Sequence, residues 1–122
     1  MDGVAVLTFD GGAAKRLGTG GFTVWLPSGR LIAARALWFG SECSTNNEAE
    51  LATLKAGLQW IAAHFPDHDW GGELLVMGDS NIVIGFMNRQ FRPQRKFVPE
   101  VLACQELVKS FKLRTQYRHV YR

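Results

Sequence analysis

The sequence predicts an α/β domain with a five-stranded mixed sheet and helices on its faces. Three observations carry this. Three apolar stretches rich in β-branched and aromatic residues come first, separated by glycine-containing segments. A long amphipathic helical pattern follows them. Strand and helix patterns then alternate, which gives the order β-β-β-α-β-α-α-β. Strands first and alternation afterwards describe a mixed sheet with helices packed on it. At 122 residues the chain suits one domain, residues 1–122, around one core.

Residues 3–9, GVAVLTF, read as a buried strand, because their apolar side chains do not alternate with polar ones. Asp10 ends this run, Gly11-Gly12 turns the chain, and residues 15–20 form a loop. Residues 21–27 and 30–39 read as a hairpin, with Pro27-Ser28-Gly29 as its turn. The longest helical pattern covers residues 45–63. Thr45 is its N-cap and Glu48, three residues on, completes a capping box. Its apolar stripe is Leu51, Leu54, Leu58, Ile61 and Phe65.

Residues 66–72 form a loop rich in Asp, His and Gly. Residues 73–77 make a fourth strand, which leads into Gly78 and Asp79. Ser80 caps a short helix at 81–88. The segment 88–97, NRQFRPQRKF, interleaves Arg89, Arg92, Arg95 and Lys96 with Phe91 and Phe97, and Pro93 breaks any long helix there. Pro99 opens a helix at 99–111, and residues 113–120 form the last strand.

Three acids stand out. Glu48 is explained by capping alone. Glu50 lies two residues further, a rotation of about 200°, so its carboxylate points the other way, beside the apolar stripe. Asp10 and Asp79 each close an apolar run and precede Gly or Ser. Either aspartate alone fits a turn or an N-cap as readily as a site. Together, two strand ends and one helix start bring three carboxylates that would repel one another unless a divalent cation held them.

Bulk properties narrow the classes. No apolar run approaches a membrane span, and Asp2 directly after Met1 gives no signal peptide. Cys43 and Cys104 have neither metal nor disulfide-framework spacing, and Cys104 shares an apolar helix face with Val101, Leu107 and Val108. A buried free thiol follows, and with it a reducing compartment, cytoplasmic or nuclear. The net charge of +3 is unevenly spread. Residues 1–85 carry five basic and nine acidic side chains, whereas residues 86–122 carry nine and two. A basic surface beside an acidic metal site suits an enzyme acting on phosphodiesters.

The element order and the motifs FDGG, TNNEAEL and GDS resemble the type 1 ribonuclease H domain. The likeness runs over nearly the whole chain and includes RHVYR at its end. TNNEAEL is similar to the family's TNN-x-x-E-L, which assigns the second acid to Glu50, in agreement with the capping argument. The resemblance implies an antiparallel set of first three strands. It implies a metal-dependent endonuclease that hydrolyses the RNA strand of RNA/DNA hybrids with low sequence specificity. It implies Asp10, Glu50 and Asp79 as catalytic residues and metal ligands. They would hold two Mg²⁺ ions (Mn²⁺ as substitute) about 4 Å apart on one phosphodiester.

Asp10 would bridge both ions, with Glu50 and Asp79 completing the leaving-group site. Substrate contacts carried over by the resemblance are Gly11, Thr45, Asn46, Asn47, Ser80, Arg89, Arg92, Arg95 and Lys96. The partner would be the hybrid, with no membrane, and the chain would be monomeric or part of a longer polypeptide. Three departures accompany the likeness. An arginine common in the family two positions before Thr45 is here Cys43. The family's fourth carboxylate, in an N-x-x-A-D segment shortly after the last strand, is not matched: no acid follows Glu106 and the given sequence stops before that segment, so residues 1–122 read as a ribonuclease H-like domain that is C-terminally short. The mobile histidine that family members often carry just beyond the last strand is also unmatched, and His119, inside that strand, reads as structural. The alternative is therefore a non-catalytic nucleic-acid-binding module of the same fold. Exonucleases with D-x-E on the first strand, and integrases with D…D…E, fit FDGG and the order D…E…D less well.

Overall fold

A computed structural model describes residues 3–121. The elements are β1 (Ala5–Ala14), β2 (Leu17–Trp25), β3 (Leu31–Gly40), α1 (Asn46–His64), β4 (Glu73–Gly78), α2 (Asn81–Met87), α3 (Val98–Ser110) and β5 (Arg114–His119). They form one five-stranded sheet in the order β3-β2-β1-β4-β5. The β1–β2 and β2–β3 pairs are antiparallel, whereas β1–β4 and β4–β5 are parallel. The expected fold class and element order are therefore present.

The first hairpin differs from the expected turn at Gly11-Gly12 and loop at 15–20. β1 continues through both glycines to Ala14, which pairs with Leu17. The turn is Lys15-Arg16, with φ of 53° and 62°. A two-residue hairpin needs positive φ at its centre to match strand twist, and here two long basic residues adopt it. Gly11 has another role. A Cβ there would lie 2.6 Å from the backbone carbonyl carbon of Ala49, so the glycine lets α1 rest on β1. The second hairpin turns as expected, with Gly29 at φ 88°.

The layering is narrower than helices on both faces. Among the described residues, α1, α2 and α3 touch one another and share one core cluster. Leu51, Leu54, Leu58 and Ile61 of α1 meet Leu7, Phe9, Phe22, Val24, Leu74 and Val76 of the sheet. Side chains alternate across a strand, so Thr8, Thr23 and Ala34, aligned in register, lie on the opposite face. The Thr8 and Thr23 hydroxyls bond to each other there. Sequence pattern hides this asymmetry because apolar Val6, Leu75 and Met77 fall on the same side as those threonines. No described helix is long and apolar enough to cross a membrane.

Candidate functional site

The strand register brings the two aspartates together. β1 and β4 are parallel with Phe9 opposite Gly78, so Asp10, inside β1 and not at its end as expected, and Asp79, just past the end of β4, follow side by side. Thr45 starts α1 through the expected capping box: its hydroxyl accepts the Glu48 N–H at 3.3 Å, and Glu48 Oε1 accepts the Thr45 N–H at 3.1 Å. The helix then seats against Gly11, which delivers Glu50 to the aspartates. One carboxylate oxygen from each of Asp10, Glu50 and Asp79 lies within 4.8 Å of the others.

The three acids differ in setting. Asp10 is exposed, Asp79 partly buried, and Glu50 only 6% exposed. Burial pushes the Glu50 carboxyl from 4.5 up to about 8; the Gly11 backbone N–H pulls the other way, and the charges of Asp79 and Asp10 add to the rise. Among the described residues, Glu50 Oε2 is buried without a hydrogen-bond partner. A buried oxygen left unpaired is costly unless a cation or water completes it. The donor set is oxygen only, so the residues fit a hard divalent cation.

An open trough of about 960 Å³ contains Asp10 and Asp79 and runs across Gly21, Thr23, Ala34 and Ala36. Its lining mixes small residues with Phe9, Phe22, Arg35 and Met77. A second groove, of about 360 Å³, is lined by Thr45, Asn47, Ile82, Phe91, Arg92 and Lys96, among others. It combines basic, amide and aromatic groups at the start of α1.

The remaining residues singled out by sequence fall in different places. Asn46 accepts the Ala13 N–H at 2.8 Å and so ties α1 to the end of β1. Ser80 caps α2 by accepting the Val83 N–H at 3.2 Å. Arg89, at φ 59°, and Arg92 line a third groove with Leu102 and Gln105. Arg95 lines none of these grooves. Glu100 pairs with Lys55 at 3.2 Å and Glu106 with Lys109 at 3.5 Å, so neither belongs to the carboxylate cluster. Cys104 is fully buried and its thiol is pushed up to about 12, chiefly by burial, in line with the buried free thiol expected. Arg122 of RHVYR lies outside the described residues.

His119, which sequence marks only as a structural residue of the last strand, lies near the cluster. Its Nε2 is 3.0 Å from the backbone oxygen of Asp79. Only the parallel register of β4 and β5, a long-range fact, brings the two together.

Comparisons with known proteins agree with this architecture. Residues 8–122 match the model of the family described as reverse transcriptase-like. No curated protein matches the sequence. Among solved structures, the N-terminal ribonuclease H domain of a Mycobacterium tuberculosis protein, solved as a fusion with maltose-binding protein, is similar at 26% identity. Its TM-score is 0.78, over 97% of this chain and 87% of that one. Ribonuclease H1 from the halophilic archaeon Halobacterium salinarum shares the fold at 22% identity and TM-score 0.81, over 98% and 87% of the two chains. LC11-ribonuclease H1, solved in complex with an RNA/DNA hybrid, shares it at 20% identity and TM-score 0.82, over 97% and 86%.

Proposed function

The chain belongs to the reverse transcriptase-like family, and from that premise we propose that it is an endonuclease of the ribonuclease H type. It would cut the RNA strand of RNA/DNA hybrids and depend on Mg²⁺, with Mn²⁺ as a substitute. One observation carries the reading: three elements far apart in sequence converge to place one oxygen of Asp10, Glu50 and Asp79 within 4.8 Å. The fold is that of type 1 ribonuclease H. The hybrid seen with LC11-ribonuclease H1 supports the substrate class.

Asp10, Glu50 and Asp79 would hold the cation. When bound, a divalent cation supplies Lewis-acid stabilisation to the phosphodiester and lowers the pKa of an attacking water. The residues of this chain do the rest. Glu50 would hold the cation as a carboxylate, so binding would be coupled to loss of its proton. The Gly11 N–H favours the charged form of the Glu50 carboxyl. The open trough leaves Asp10 and Asp79 accessible to a ligand. Thr45, Asn47, Arg92 and Lys96 line a groove suited to a backbone phosphate and its sugar. Asn46, Ser80, Arg89 and Arg95 would make outer contacts. Phosphate contacts of this kind carry no sequence information, so specificity would be low.

Cleavage of a hybrid labelled on its RNA strand, in Mg²⁺ and then in Mn²⁺, tests this beside Asp10→Asn. RNA-strand cleavage that disappears in the variant is the expected result. Hybrid binding without cleavage would replace the enzyme by a non-catalytic binding module. Absence of both would remove the nucleic-acid reading.

A further inference from the structure

Asp79 sits in a joint. β4 ends at Gly78 and α2 begins at Asn81, so Asp79 lies between the two elements. The joint is nevertheless held on each side. The Gly78 carbonyl accepts the Val120 N–H at 2.9 Å. Ser80 accepts the Val83 N–H on its hydroxyl at 3.2 Å and the Ile84 N–H on its carbonyl at 3.1 Å. The Asp79 carbonyl lies between them and faces a side chain, His119, at 3.0 Å. Because the acceptor is a carbonyl, His119 Nε2 carries the proton and donates. The imidazole is braced by the Tyr121 ring, 4.6 Å away at 70°.

We propose that His119 is a positioning residue that aims the Asp79 carboxylate into the cluster with Asp10 and Glu50. Both peptide planes that flank Asp79 are then anchored to the end of β5, one by backbone and one by the imidazole. With both planes fixed, the Cα–Cβ bond of Asp79 has one direction. The backbone bond from Val120 survives any side-chain substitution, whereas the second anchor is a side chain, that of His119. Groups that orient metal ligands from outside typically change affinity by about 10–100-fold when removed. The role rests on the reading of the three carboxylates as a divalent-cation site.

Two variants separate the donor from the ring. His119→Phe keeps a ring against Tyr121 and loses the donor, whereas His119→Gln keeps an amide donor at similar reach. Two readouts are made without nucleic acid: Mn²⁺ binding by calorimetry, and hydrogen exchange of the metal-free protein. His119→Phe is expected to weaken Mn²⁺ binding by about tenfold. It should also speed exchange of the Val83 and Ile84 amides by about fivefold. His119→Gln should stay near the unsubstituted protein in both.

Unchanged Mn²⁺ affinity in His119→Phe would overturn the proposal, as would a His119→Gln variant as impaired as His119→Phe. Failure of the unsubstituted chain to bind Mn²⁺ would overturn the cation-site reading and the metal role of His119 with it. The exchange data would then report the tether alone, so the two failures are distinguishable.

Discussion

Glu50 concentrates the chemistry of the site in one residue. Its carboxyl titrates near 8 in the fold against 4.5 ordinarily, chiefly because it is buried. Between those values the native state holds a proton that the unfolded chain has released. Stability therefore falls as pH rises through this window, by up to about 1.4 kcal/mol per pH unit for the one proton. The full contribution is present below the unfolded value and is gone above the folded one. Melting of the metal-free protein in chelator should thus decline from about pH 5 to about pH 8, and Glu50→Gln should flatten the decline. Equal slopes in the two proteins would contradict the assignment. Gly11 is the second sensitive position. A Cβ there meets backbone at 2.6 Å, and backbone cannot retreat cheaply, so Gly11→Ala should lose about 1–3 kcal/mol in chemical denaturation. At this scale sequence separates Glu50 from Glu48, because helix geometry and capping are local rules. It cannot reveal the bond from Ala13 to Asn46 or that from His119 to Asp79, whose partners lie 33 and 40 residues away.

Elements show the same division. The start of α1 is legible because the capping box is written in four consecutive residues, and Thr45 and Glu48 bond as that pattern requires. The Thr45 hydroxyl, donating to Glu48, also holds the Glu48 carboxyl below its usual range. Thr45→Ala should therefore cost about 1 kcal/mol, read as a lower denaturant midpoint, while Thr45→Ser should stay close to the unsubstituted protein. A serine variant as unstable as the alanine one would mean that the methyl group, and not the cap, matters. The end of β1 is not legible, for a definite reason. Glycine marks both a turn and a close approach, and at Gly11 it serves the approach of α1 inside a continuing strand. The true turn, Lys15-Arg16, carries none of the residues that usually announce positive φ.

For the whole molecule, the uneven charge becomes a surface argument. The acids at the site would repel a polyanion without a cation, so attraction has to come from the basic segment that precedes α3. Sequence alone treats Arg89, Arg92, Arg95 and Lys96 as equivalent. The fold separates them: Arg92 and Lys96 line the groove with Thr45 and Asn47, whereas Arg95 does not. Removing one cation that neutralises a duplex phosphate should lower the slope of log affinity against log salt by about 0.9. Arg92→Ala with Lys96→Ala should then lower that slope by about 1.8 for hybrid binding, and Arg95→Ala should change it less than either single substitution. The measurement is hybrid affinity across a salt series in Ca²⁺, chosen to hold the acids without cleavage. Equal effects from Arg95 and Arg92 would mean that the segment acts as a diffuse positive field. A larger effect at Arg92 and Lys96 would mean that a phosphate sits in the groove beside Thr45, and that the start of α1 positions both the buried acid and the strand it acts on.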